Sequence, residues 1–519
     1  MQQVQLHLDR NEYALARKLL PKILRKRPLS AREKIALCSI YYRLGDLDKA
    51  LKLAGKEASF DELMGMSEPH IGLQVEVARL LHYIGARYSA LRLIDKIEQT
   101  LSLRKLQIAN INKLYPLFKA IIERIGFYPD RAIESSLKAM EFYEEGSAPF
   151  YASWINALDS MLYNDCQEKL GALSRLHADG AMKLRHNYKG IILRNSADQA
   201  RLRGEHPQAL KLINEALAVF PSGSISVEAA VALRVRGEIL AETGKKSEAQ
   251  EDIRQALKIA LDHKHSPDMA IKCLLDLELY QLEELSLSEK IALRCHPCYS
   301  AYSFYVGKKY DPAKHTFDRT HLKRIQNLNT TLDAWLICDG KISLINYADT
   351  ITSIRRAAAS KNLALVDCLA GVSWSKSHVP TLLPQTKLRA LTVLLSAGSL
   401  GINLWSAIDS IYAEEAFSFK YGEERLKAML TELKKLKFRF ERRSNFYYAQ
   451  GLEDKIIILP MEHASPAPWK TFQPCFPEKF QHSDLQDFFH IHKATAYRWM
   501  KQWQEDGIIK VKKSGCQFI

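Results

Sequence analysis

The chain has 519 residues, 47% of them hydrophobic and 26% charged, with a formal net charge of +15 at pH 7. This composition excludes a disordered tail and fits roughly three or more domains. The positive excess makes a polyanionic partner worth seeking without locating a site for it. The opening "MQQVQLHLDRNEY" lacks the apolar core of a secretory signal, and no apolar run approaches the roughly 18 residues that span a bilayer. The expectation is a cytoplasmic protein with no membrane contact. Nine scattered cysteines read as reduced thiols. The close pair Cys295 and Cys298 has no second pair of ligands at metal-site spacing, so no metal and no cofactor are expected.

Between residues 30 and 260 the chain repeats itself. In "YYRLGDLDKAL", "LHYIGARYSAL", "RLRGEHPQAL" and "LAETGKKSEAQ" a Gly is followed five residues later by Ala: Gly45 and Ala50, Gly85 and Ala90, Gly204 and Ala209, Gly244 and Ala249. Gly126 and Asn164 fall near the same period of about 40 residues. Amphipathic runs flank each turn, which predicts about six helical hairpins in which Gly or Asn takes a positive φ and Ala lets two helices approach. Tyr41, Tyr42 and Tyr83 sit at helix-packing positions. The spacing, with further Ala at 216 and 256, resembles the tetratricopeptide repeat, at a period longer than the usual 34. The resemblance implies an α-solenoid over residues 1–294 that binds a protein, peptide or small effector.

Residues 295–385 read as a connecting region. "TLDAWLICDGKISLINY" alternates about Asp339-Gly340, a strong hairpin signal. "ITSIRRAAASKNLALVDCL" then reads as helical, followed by a Pro-bounded loop. Over 386–460 the pattern predicts helices at Lys387–Ala397, Leu404–Tyr412 and Gly422–Leu436. Leu426, Met429, Leu433 and Leu436 form the buried stripe of the third, and two strands meet at Ser444-Asn445. This order resembles the OmpR/PhoB-type winged helix. The resemblance implies that the third helix and the wing meet DNA, through the exposed cations Lys427, Lys434, Lys435, Arg439, Arg442 and Arg443.

Pro466, Pro468, Pro474 and Pro477 mark residues 461–478 as an extended linker. Residues 479–519 contain "SDLQDFFHIHKATAYRWMKQWQEDGIIKVKKSGCQFI", which resembles the winged helix-turn-helix of many bacterial regulators. Leu485, Phe489, Ile491, Ala496, Met500 and Trp503 take the inner positions. Lys493, Thr495, Tyr497, Arg498, Lys501 and Gln502 then face outward on the second helix, where bases and phosphates are read. Lys510, Lys512 and Lys513 flank the tip of a short wing. His492 stands at the N-cap, where Ser or Thr is usual.

The expected fold is therefore mostly α: a tetratricopeptide-like solenoid followed by small α+β winged-helix modules. The expected function is a transcriptional regulator binding double-stranded DNA, with dimerisation of the array left open. A scaffold whose winged helices bind proteins is the alternative. An enzyme is not expected: "GKKS" at 244–247 lacks the preceding Gly of a phosphate loop, and no HExxH or GxSxG occurs.

Overall fold

The structure, a computed structural model, describes residues 13–24, 71–83, 85–104, 115–125, 129–161, 167–184, 186–220, 227–263, 267–295, 333–374, 380–413, 421–443, 446–452, 455–460, 479–489, 491, 493–512 and 515–519, with isolated positions before residue 50 and between 461 and 478. Two compact units emerge. One comprises Met1–Leu285, Ser300–Gln326 and Asn403–Leu426, the other Ser286–Tyr299, Asn327–Ile402 and Lys427–Ile519. The segment read from sequence as one winged helix over 386–460 is thus shared between them. Among the described residues, no helix is long and apolar enough to cross a membrane.

The first unit is an array of helical hairpins. Its helices are α1 (Tyr13–Leu24), α2 (Ile71–Tyr83), α3 (Arg87–Arg104), α4 (Tyr115–Ile125), α5 (Pro129–Phe142), α6 (Ala148–Met161), α7 (Gln167–Leu184), α8 (His186–Leu202), α9 (His206–Val219), α10 (Val227–Glu242), α11 (Lys246–His263) and α12 (Pro267–Leu279). Three hairpins share one turn. Gly85, Gly204 and Gly244 have φ of +82°, +80° and +81°. In each, the next N–H bonds the carbonyl five residues back at 2.9 Å: Ala86 to Leu81, Glu205 to Ala200, Lys245 to Leu240. This closes the first helix where a residue with a Cβ would be strained. Ala90, Ala209 and Ala249 are wholly buried. The predicted register therefore holds at these turns, and no strand occurs among the described residues of 30–260. Gly45, Gly126 and Asn164 lie outside the described residues, as do the side chains of Tyr42 and Tyr83; Tyr41 packs half-buried against Leu37, Ile40 and Leu44.

A ladder of buried charge runs across α6, α8, α10 and α12. Arg194 bonds Asp159 at 2.6 Å. Arg201, fully buried, bonds Asp198 and Glu242 at 2.6 Å and stands 3.4 Å from Glu238. Arg234 reaches Glu238 at 2.9 Å and Asp276 at 2.6 Å, and the Tyr280 hydroxyl donates to Glu242 at 2.9 Å. Burial pushes the Asp276 carboxyl up to about 7 against the pull of Arg234. An unfolded Asp releases its proton near 4, so between about pH 4 and 7 the folded chain binds more protons at this site. Its contribution to stability falls as pH rises through that window. Asp276→Asn is therefore expected to flatten this part of the stability–pH curve, measured by denaturant unfolding at pH 4.5 and 7.5; an unaltered slope would place the proton elsewhere.

The second unit begins with α13 (Leu287–Arg294) and contains β1 (Asp333–Cys338), β2 (Lys341–Asn346), α14 (Tyr347–Ser360), β3 (Ala364–Asp367), β4 (Val372–Trp374), β5 (Pro380–Leu382), α15 (Gln385–Ser396) and, late in the chain, β9 (Lys455–Pro460). Between α15 and β9 come β6 (Ile402–Asn403), α16 (Leu404–Ile411), α17 (Gly422–Lys435), β7 (Arg439–Arg443) and β8 (Phe446–Gln450). Asp339 and Gly340 both have positive φ, as the tight β1–β2 hairpin requires. The sheet order is β2-β1-β9-β3-β4-β5, with β9 parallel to β3 and antiparallel to β1.

Two features differ from the sequence expectation, and one strand had no expectation of its own. The predicted helical stretch stops at Ser360, and "ALVD" is a buried strand. The Pro-bounded loop contributes β5. "KIIILP" is a central strand with five of its six residues buried. An all-apolar run buried on both faces has no alternation to reveal it.

The chain ends in α18 (His482–Phe489), α19 (Lys493–Glu505), β10 (Ile509–Lys512) and β11 (Gly515–Phe518). These elements share one core with the sheet. Phe480, Leu485, Phe489, Ala496, Trp503 and Phe518 pack with Ile351, Leu365, Trp374 and Ile458. The Arg355 guanidinium lies over both Trp374, at 5.2 Å, and Phe488, at 4.5 Å, joining α14 to α18. The extended-linker expectation for 461–478 falls almost wholly outside the described residues, although Trp469 packs against this same core.

Candidate nucleic-acid interface

The outward face of α19 follows from what the helix buries. Ala496 and Trp503 are in the core, with Trp499 and Met500 half-buried beside them. Trp499 stacks on Trp503 with centroids 6.2 Å apart and meets Phe489 edge-on at 5.3 Å. Helical periodicity then leaves Lys493, Tyr497, Arg498, Lys501 and Gln502 exposed, and Thr495 half-buried. The two tryptophans are thus packing groups, and the cations are the displayed ones.

Local contacts order this face. Tyr497, 49% exposed, stacks on His482 at 4.9 Å, with the Lys493 ammonium 5.8 Å from its ring. Arg498 donates to the Thr495 hydroxyl at 3.2 Å, using one of five donors. Lys501 stands 3.8 Å from Glu505, and Gln502 donates to Asp506 at 2.8 Å. On the hairpin, Lys510, Val511 and Lys512 are all exposed, and Lys512 donates to Gln517 at 2.9 Å. Lys513 and His492 lie outside the described residues.

The second group of predicted cations belongs to the same unit. Lys427, Lys434, Lys435, Arg439, Arg442 and Arg443 are all exposed. Leu426 and Leu433 are buried and Met429 and Leu436 half-buried, as the stripe required. Some of this charge is neutralised internally. Hydrogen bonds from Lys435 and then Lys387 hold the Glu432 carboxyl down at about 2. Arg443 makes a two-pronged bond to Glu441, 2.8 Å on each arm. The α19 face and the hairpin carry fewer such ties.

Two groups escaped the sequence reading. The charge ladder had a signal: Arg194 and Arg234, and Asp198 and Glu238, lie one 40-residue period apart. Asp409, buried at the N-terminus of α3, had none. No group of His, Cys, Asp or Glu among the described residues is arranged to hold a metal ion. Cys295 is buried beside Ser396 and Cys298 lies outside the described residues.

No family model matches the chain, and no curated protein matches it. Among solved structures, a Rap protein complexed with competence and sporulation factor aligns at 12% identity and a TM-score of 0.40, over 62% of this chain and 96% of its own. The apo form of the quorum sensor NprR from B. thuringiensis aligns at 15% identity and a TM-score of 0.36, over 63% of this chain and 97% of its own.

Proposed function

We propose that the chain is a DNA-binding transcriptional regulator whose repeat unit receives a protein, peptide or small effector. One observation carries this: α19 displays Lys493, Tyr497, Arg498, Lys501 and Gln502 on one exposed face while its other face is fixed in the core of a sheet. A helix so held presents a forked guanidinium and amide donors at a set angle, which reading base edges requires. The succession of helix, short turn, helix and cationic hairpin supports a winged helix-turn-helix, with Lys510 and Lys512 reaching phosphate. The protein-binding alternative is favoured only at 427–443, where Glu432 and Glu441 answer part of the positive charge.

A mobility-shift assay against genomic fragments at rising salt tests the reading. Arg498→Ala is expected to cost about 1–3 kcal/mol at one base pair and to relax discrimination there. Lys512→Ala is expected to weaken all sequences alike and to reduce the salt slope by about one unit. If both variants keep their fold and bind as the parent does, α19 is not the reader.

A further inference from the structure

Phosphate contact asks for cations and for nothing apolar. Yet the large apolar side chains exposed among the described residues of the second unit are Tyr497, Val511 and Ile519, all at its C-terminal end. Tyr497 stands in the middle of the face that α19 displays. Ala494, also exposed, precedes it by one helical turn, and Arg498 and Lys501 are exposed beside it. At spacings of three and four these four side chains are neighbours on the helix surface, so the cationic face carries an apolar centre.

The Tyr497 ring is held in place. It stacks on His482 of α18 with centroids 4.9 Å and planes 22° apart, and the Lys493 ammonium lies 5.8 Å from its centroid. About half of the side chain nevertheless stays open to solvent. A tyrosine turns about two side-chain torsions, and one already stacked has little freedom left to lose, so apolar surface buried on it is gained at low entropic cost. In the major groove the apolar group on offer is the 5-methyl of thymine, while guanine offers O6 and N7 to a forked guanidinium.

We propose that Tyr497 and Ala494 form a thymine reader, which receives the 5-methyl group of a thymine against the ring edge and the alanine methyl, with His482 as the positioning residue of the ring. This rests on the DNA-binding reading above and gives the bound site a chemistry. Neighbouring side chains on a helix stand about 5–6 Å apart at Cβ, and base pairs about 3.4 Å apart along the duplex. The thymine therefore lies within about two base pairs of the guanine that Arg498 takes.

Deoxyuridine, which lacks only the methyl group, tests it. Each thymine in a fragment shifted by the full-length chain is replaced in turn, and affinities are measured at one salt concentration. One position should weaken binding by about fourfold, the worth of one buried methyl. Tyr497→Ala should bind the thymine and deoxyuridine fragments alike at that position, and His482→Ala should narrow their ratio. Tyr497→Phe should keep the ratio, because the hydroxyl is not used. Arg498→Ala, weaker throughout, should also keep it. The proposal is overturned if the parent ignores the methyl at every position, if Tyr497→Ala retains the preference, or if Tyr497→Phe weakens all fragments equally, which would put the hydroxyl on a phosphate. A parent that shifts no fragment overturns the DNA reading as well, whereas one that binds DNA without sensing the methyl overturns the thymine reader alone.

Discussion

Arg201→Ala is expected to destabilise the repeat unit by about 3–5 kcal/mol, the range found when one partner of a buried ion pair is removed. Arg201 is wholly buried and faces Asp198, Glu238 and Glu242. Truncation leaves three carboxylates whose hydration was given up in folding. The loss should concentrate in α8, α10 and α12, which the ladder joins. Amide exchange there should speed by roughly two to four orders of magnitude, since each 1.4 kcal/mol is tenfold. A loss under about 1 kcal/mol would mean that water reaches these groups.

The second large effect is at Trp503. Trp503→Ala removes a ring packed among Phe480, Trp499 and Phe518 and should cost about 3–5 kcal/mol. Trp503 is 4% exposed and takes no part in the displayed face. On the DNA-binding reading proposed above, binding should nevertheless fail, because α19 loses the seat that fixes its angle. Arg498→Ala should leave the near-UV circular dichroism intact, whereas Trp503→Ala should reduce it and open residues 479–491 to protease. If Trp503→Ala kept a resistant, DNA-binding C-terminus, the core shared with the sheet would not be what orders α19.

The parts of this molecule that sequence reveals are those governed by local rules. Gly85, Gly204 and Gly244 announce themselves because a positive φ five residues before a buried Ala is a backbone requirement with a fixed spacing. Asp339-Gly340 is legible for the same reason, and the outward face of α19 follows from which positions hold Ala496 and Trp503. What was hidden depends on partners remote in the chain. The strand 455–460 is apolar throughout after Lys455 and gains its identity only between β1 and β3. Residues 364–367 continue a plausible helical pattern until β9 pairs with them. Asp409 is one acid in an apolar helix, and nothing near it in sequence says that its acceptors serve Tyr88 and Ser89. The candidate site was thus more legible than the fold that seats it, since exposure of a helical face is a matter of period.

The place of β9 also has a consequence for synthesis. It is the last strand of the six to leave the ribosome, yet it lies between β1 and β3. Until it emerges, the β1–β2 hairpin and the β3–β4–β5 meander each present an edge with unpaired N–H and C=O groups, a template for joining another chain. Both halves must wait through the translation of α15, α16, α17 and the β7–β8 hairpin before the strand that unites them appears. At about 5–20 residues per second this interval is several seconds long. A nascent chain stalled before residue 455 would be a pair of open sheet fragments, and such chains should depend on chaperones far more than the finished protein does.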